Sequence, residues 1–288
     1  EETIRLAYQK GVNFFDCADG YSGGEAERFL GKVLKSYRRS SYVVSSKVYF
    51  PTGPSVNESG LSRKHIFENF DRTLANMQLD YIDLYYCHRF DTTTPMEETL
   101  RALSSLVDQG KILYYGVSEE WGGARLVEAQ KIIEKYGLHP LTSLQPQYHM
   151  MDRYIEHEIM EICEKYGIGI TPFSPLAQGL LTGKYKKGQP YPEGSRATHQ
   201  ADRQVNELLT DENLDRVAAL EKVAEALGIT VSVLALSWIL RKGVISSVIT
   251  GASRPSQLES NLAAAGLRIP EDALEEIDHI LGFVPFER

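Results

Sequence analysis

Short apolar runs rich in β-branched and aromatic residues recur along the chain, separated by stretches whose apolar positions repeat with helical spacing. Seven runs read as strands: 12–16, 42–47, 81–88, 112–118, 141–148, 167–174 and 244–251. Several are nearly continuous in apolar residues, such as Ile82, Leu84, Tyr85 and Tyr86, or Ile168, Ile170 and Phe173. That is the pattern of strands covered on both faces. Between them, 62–77 sets Ile66, Phe67, Phe70, Leu74 and Met77 on one helical face, with Ser62 placed to cap its N-terminus. Alternation of this kind predicts a parallel sheet flanked by helices, and the expected fold class is an α/β, (β/α)8 TIM barrel forming one domain over residues 1–288. Such a barrel needs eight strands, whereas the chain opens inside a helical pattern at Glu1, so its first strand is expected to be lacking. Residues 186–208, rich in Gly, Pro and charge, interrupt the alternation before helical patterns at 211–227 and 231–241. A stretch that long predicts a functional lid or a disordered insertion.

Composition narrows the classes. The 288 residues suit one barrel of about 250 residues. No apolar run approaches the roughly 20 residues that cross a bilayer, and Glu1 begins a polar amphipathic segment rather than a signal peptide, so no membrane insertion is expected. Cys17, Cys87 and Cys163 are odd in number and form no CxxC pair, which predicts reduced structural thiols, no zinc site and a cytoplasmic setting. With 31 Lys and Arg against 39 Asp and Glu, the net charge of −8 repels phosphodiesters, and no nucleic-acid partner is expected.

The candidate chemistry lies where the strands end. Asp16, Lys47, His88, Ser118 and Gln145 each close an apolar run, and in an α/β barrel those ends converge on the face that carries the active site. Taken singly, a strand-end Lys is ordinarily a solvated charge, an Asp before a turn a cap, and a His a satisfied core residue. Their shared place in consecutive units, with Tyr21 in a Gly-rich turn five residues beyond Asp16, points instead to one constellation. A neighbouring ammonium lowers a phenol's pKa from its ordinary value near 10, so Lys47, held by Asp16, is expected to activate Tyr21 as a proton donor. His88 would then position the oxygen that gains negative charge, which describes carbonyl reduction. A Schiff-base aldolase using Lys47 is disfavoured, because an amine nucleophile must be neutral.

A hydride source is not written as a GxGxxG loop, and the stretch 179–185 lacks a P-loop's spacing and its Ser or Thr. A phosphate monoester would fit 251–257, where Ser253 can cap a helix, Pro255 suits its first turn, and Arg254 stands beside free N–H groups. Arg254 is equally readable as a surface charge at a routine helix start.

The ordered set of motifs at 15–21, 46–47, 83–88, 116–118, 145–148, 173–177 and 251–261 resembles the aldo-keto reductase superfamily, and within it a bacterial branch similar to the potassium-channel β-subunits. The resemblance implies a barrel opened by an N-terminal hairpin, expected to be lacking here like the first strand, and NADPH-dependent reduction of a small-molecule aldehyde or ketone without a metal. It implies catalytic roles for Asp16, Tyr21, Lys47 and His88, with Tyr21 as general acid. It places the nicotinamide at Ser118, Gln145 and Phe173, and the pyrophosphate and ribose at Ser174, Leu176, Gly179, Lys184, Ser195 and Arg196. The adenosine end falls to Gly251, Ser253, Arg254, Gln257 and Asn261, and 186–208 becomes a cofactor clasp. Glu119 departs from the family's usual Asn or Arg after the Ser118 position. Tyr49 and Trp121 are candidate substrate contacts, with Phe50, Phe90 and Tyr148 as further pocket residues; each can equally be rim packing. A homo-oligomer accords with the family, and a slow-turnover, NADPH-binding redox-sensing subunit is the alternative function it implies.

Overall fold

In the computed structural model, which describes residues 1–198 and 203–282, helices and strands alternate as the apolar pattern predicts. The order is α1 (Glu2–Gln9), β1 (Phe14–Asp16), α2 (Glu25–Leu34), β2 (Val43–Val48), α3 (Arg63–Met77), β3 (Ile82–Arg89), α4 (Met96–Asp108), β4 (Ile112–Glu119), α5 (Gly123–Tyr136), β5 (Leu141–Leu144), α6 (Ile159–Tyr166) and β6 (Gly169–Ile170). The six strands form one sheet in sequence order, every neighbouring pair parallel. Its register sets Asp16 beside Ser45 and Lys47 beside Tyr86, so Lys47 and His88 each lie two residues beyond the partner of the preceding strand's polar end, on the same face of the sheet. β3 is buried along nearly its whole length, as a two-sided apolar strand must be.

The local signals act as read. The Ser62 hydroxyl accepts from the His65 N–H, capping α3, whose Ile66, Phe70 and Met77 are buried. α2 packs on α3 so closely that a Cβ at Gly31 would sit 2.2 Å from the Met77 carbonyl oxygen. Only glycine allows that approach.

The chain divides into two compact units. The first comprises Glu1–Pro146 and Glu156–Ile170 and holds the sheet. The second, Gln147–Ile155 with Thr171 onward, contains α7 (Arg203–Leu208), α8 (Asp211–Ala226), α9 (Val231–Leu240), α10 (Pro255–Leu262) and α11 (Glu271–Leu281). α9 is apolar nearly all round and almost wholly buried, with Trp238 in its last turn. No single described helix is long and apolar enough to cross a membrane.

Three expectations need correction. Residues 244–251 do not form a strand: Ile249 donates to the Pro172 carbonyl, but Pro172 has no N–H to offer and the chain turns at Ser174, φ 54°, so the ladder stops. The fifth and sixth runs shorten to β5 and β6, continued only by an isolated bridge between Gln147 and Phe173. The stretch 186–208 is not wholly loop, since it ends in α7.

Candidate active site

In the first unit the strand ends bring together the side chains that the sequence singled out. Lys47 is fully buried, and its ammonium donates to Asp16 Oδ2 at 2.5 Å and to the Cys17 carbonyl at 2.7 Å. The Asp16 carboxylate is held from its other side, where Oδ1 accepts from the Ser45 hydroxyl at 2.6 Å and from the Gln145 amide at 3.1 Å. Tyr21 rides a tight turn just past β1, its N–H bonded to the Ala18 carbonyl. Its ring lies with the Lys47 ammonium 5.2 Å from the centroid and the His88 ring 5.8 Å away, edge to face. Tyr21 is 45% exposed as a residue, whereas the Lys47 charge behind it is fully buried.

Burial alone would drive Lys47 toward the neutral amine, but Asp16 and Tyr21 outweigh it and its pKa is raised. An amine kept charged cannot serve as the Schiff-base nucleophile. Tyr21 shifts against the sequence expectation. Lys47 does pull the phenol down, yet desolvation is larger and the Asp16 carboxylate adds to it, so the pKa is raised overall.

Burial and the nearby Lys47 charge push His88 down to about 3, leaving a neutral imidazole whose Nδ1 has no partner. The unfolded chain accepts a proton near pH 6.5 that the folded site refuses, so the His88 contribution to stability is expected to fall as pH drops from 6.5 toward 3. This group alone accounts for up to about 1.4 kcal/mol per pH unit. Urea unfolding of wild type and His88→Asn at pH 7 and pH 4.5 checks this: the variant's stability should depend less steeply on pH, and equal dependence refutes it.

Ser118 donates to the Gln145 backbone carbonyl at 2.6 Å, and the Gln145 side chain is engaged with Asp16, which ties the expected carboxamide contacts to the catalytic carboxylate. Glu119, unlike the family's donor at that place, is ion-paired with Arg89. Tyr49 packs on Phe50, and Phe50 packs edge-on against His88 at 4.9 Å, an aromatic wall beside the catalytic groups. Trp121 is 3% exposed against Phe90, with its indole N–H unpartnered.

In the second unit Phe173 is half-buried and Ser174 accepts from the Gln178 amide at 2.9 Å, while Arg196 bonds the Gln178 carbonyl oxygen. Gly179 has φ 98°, and a Cβ there would lie 3.0 Å from the Lys184 ammonium; the buried Ser195 hydroxyl has no partner. A bare cradle and an orphaned donor suit a bound pyrophosphate. Leu176 packs against the cluster of Val233, Leu236 and Ala264. Tyr148 is fully buried against Trp238. Gly251 is exposed with open space around it. α10 begins with Pro255 in its first turn and exposed Arg254 at its cap, but Ser253 does not cap it. Instead the Gln257 carbonyl oxygen reaches back to the Ser253 N–H and hydroxyl at 2.9 and 3.0 Å. Asn261 lies half-buried in the last turn.

Ser45 was missed from sequence. Side chains alternate along a strand, so a polar residue two before Lys47 shares its face, and that period could have found it.

The sequence model described as the Aldo/keto reductase family matches residues 1–281. A Schizosaccharomyces pombe protein named as a putative voltage-gated potassium channel subunit beta is 39% identical, covering 99% of this chain and 84% of its own. An Arabidopsis thaliana protein named as a probable subunit of the same kind is 38% identical, covering 98% and 87%. The structure of a glycerol dehydrogenase from Gluconobacter oxydans superposes with a TM-score of 0.84 at 25% identity, over 97% of this chain and 84% of that one. A family match across both units, meeting a strand-end Asp, Tyr, Lys and His set, makes this chain an α/β oxidoreductase-type member of the aldo/keto reductase family.

Proposed function

We propose that the protein reduces aldehydes or ketones to alcohols with NADPH, Tyr21 giving the proton. The observation that carries this is the buried Lys47 ammonium, pinned by Asp16 and the Cys17 carbonyl beneath the Tyr21 ring, with neutral His88 at that ring's edge. When bound, NADPH supplies the hydride for the carbonyl carbon. Tyr21 O–H donates its proton to the carbonyl oxygen, and the phenolate left behind is stabilised by Lys47 until it is reprotonated from solvent. His88, neutral at working pH, has an N–H to orient that oxygen without competing as an acid. Ser118, Gln145 and Phe173 would hold the nicotinamide, Ser174, Gly179, Lys184, Ser195 and Arg196 the pyrophosphate and ribose, and Arg254 at the α10 N-terminus the 2′-phosphate. The reading carries with it the (β/α)8 barrel plan, a small-molecule carbonyl substrate and a reducing cytoplasmic setting, in keeping with three free, buried cysteines.

Steady-state oxidation of NADPH and NADH with aldehydes, ketones and sugars tests it. At least one carbonyl class should turn over, with NADPH preferred, and Arg254→Ala should raise KM for NADPH while leaving that for NADH. Absence of turnover throughout rejects the reductase. The 38–39% identical relatives, named as voltage-gated potassium channel subunits beta, favour the second function that the family resemblance implies, a slow-turnover, NADPH-retaining redox-sensing subunit. Tight NADPH binding with negligible steady-state rate on every carbonyl would select it.

A further inference from the structure

The turn that carries Tyr21 rests on a buried polar network that the catalytic scheme does not use. Asp19 is buried directly behind it: Oδ1 accepts from the Gly20 N–H at 2.6 Å and Oδ2 from the Asn69 amide of α3 at 2.8 Å. The same Asn69 amide donates to the Tyr85 hydroxyl of β3 at 3.1 Å, while Asn69 Oδ1 is buried and has no partner. Beyond the Gly20 contact the backbone enters the left-handed region three times running, Ser22 at φ 50°, Gly23 at 64° and Gly24 at 91°. A serine in that region is strained and persists only where its surroundings impose it. Besides these backbone bonds, Asp19 faces Glu27 from α2 and Arg72 from α3. Glu27 accepts from the Ser46 hydroxyl of β2 and the Asn76 amide of α3, at 2.6 and 2.8 Å.

We propose that Asp19 is a positioning residue for Tyr21: its carboxylate fixes the 19–24 turn that holds the phenol beside Lys47, and its protonation releases that turn. Both of its oxygens receive donors, so the ionised form makes every bond shown. In the protonated form Oδ2 carries the proton and Asn69 turns its spare Oδ1 to accept it; its Nδ2 then leaves Asp19 and Tyr85, the charge-assisted tie to α3 and β3 is lost, and the turn keeps only a weakened bond from the Gly20 N–H. Burial first, and then the Glu27 charge, push this carboxyl up to about 7, against the Gly20 and Asn69 bonds and Arg72. The transition therefore falls near neutral pH. The proposal rests on the reductase reading for its rate consequences but not for its structural ones.

Amide hydrogen exchange and turnover are measured together on the full protein from pH 5 to 8. In wild type, protection of the 20–24 amides, corrected for intrinsic rates, should fall below about pH 7 together with kcat. Asp19→Asn should lower kcat about 10- to 100-fold, through misplacement of the phenol, with KM for NADPH little changed. It should also lose the acid limb. A carboxyl whose pKa is raised on folding costs stability as pH rises, so this variant should gain stability relative to wild type between pH 5 and pH 8. A merely structural role would lose stability and rate together. In Glu27→Gln, Ser46 can reverse its hydroxyl to keep both contacts, and the acid limb should move to lower pH as the like charge is removed. Protection of 20–24 that does not change with pH in wild type overturns the proposal, as does an unmoved limb in Glu27→Gln, and either decides even where Asp19→Asn fails to fold. A protein that turns over no carbonyl refutes the reductase while the exchange result still judges Asp19.

Discussion

Replacing Tyr21 by Phe is expected to lower kcat for carbonyl reduction by about 10²- to 10⁴-fold, the share that a positioned general acid supplies. The substitution is clean because the ring itself is held by neighbours that Phe retains, His88 at its edge and the Lys47 ammonium 5.2 Å from its centroid. Only the O–H is lost, so cofactor affinity and the fold should stay as they are. No other group in the cluster can replace the lost proton. His88 is a neutral imidazole far below its usual titration range, and Lys47 is committed to Asp16 and the Cys17 carbonyl. The raised phenol pKa adds a signature: reduction needs the protonated form, so on the alkaline side wild-type kcat should hold steady and then fall only above the ordinary phenol value of about 10. Tyr21→Phe should lack that basic limb. Single-turnover and steady-state rates from pH 6 to 11 test both statements, and a variant within a few fold of wild type would move the proton source away from Tyr21.

The catalytic set was legible because the C-terminal ends of neighbouring parallel strands lie along one edge of the sheet, a fact of topology that makes linear position a guide to spatial position. Asp16, Lys47 and His88 meet there on one face, the last two each a two-residue step beyond the register partner of the one before. What depends on balances of energy was less legible. The sign of the Tyr21 shift turns on desolvation against one ammonium, and no residue pattern states which is larger. Residues 244–251 carry a strand-like composition but lack a ladder, since pairing depends on whether Pro172 and Ser174 can offer their rungs. The Asp19 network escaped because its members, Asp19, Glu27, Asn69 and Tyr85, come from four elements and share no spacing. The Ser253 cap failed for a related reason: Gln257, one turn later, competes for the same hydroxyl.

Lys47→Met should be the most destabilising single change in the site, by about 3–5 kcal/mol, because it leaves the Asp16 carboxylate buried beside an apolar chain. Met roughly preserves the volume and flexibility of the lysine stem, so the loss is electrostatic rather than a cavity. The remaining bonds to Asp16, from Ser45 and Gln145, both fall on Oδ1, and Oδ2 loses its only described donor. Asp16→Asn in the same chain removes the unpaired charge and keeps Oδ1 as an acceptor for both donors. The double variant should therefore be more stable than Lys47→Met alone, the two substitutions coupling strongly in a double-mutant cycle. Activity should not return with stability, since neither chain retains the cation that stabilises the Tyr21 phenolate. Urea unfolding of the four proteins, paired with turnover measurements, separates these effects. If the two substitutions simply added, the Asp16–Lys47 pair would be a bystander to folding, and the buried ammonium would owe its position to the Cys17 carbonyl and the surrounding packing instead.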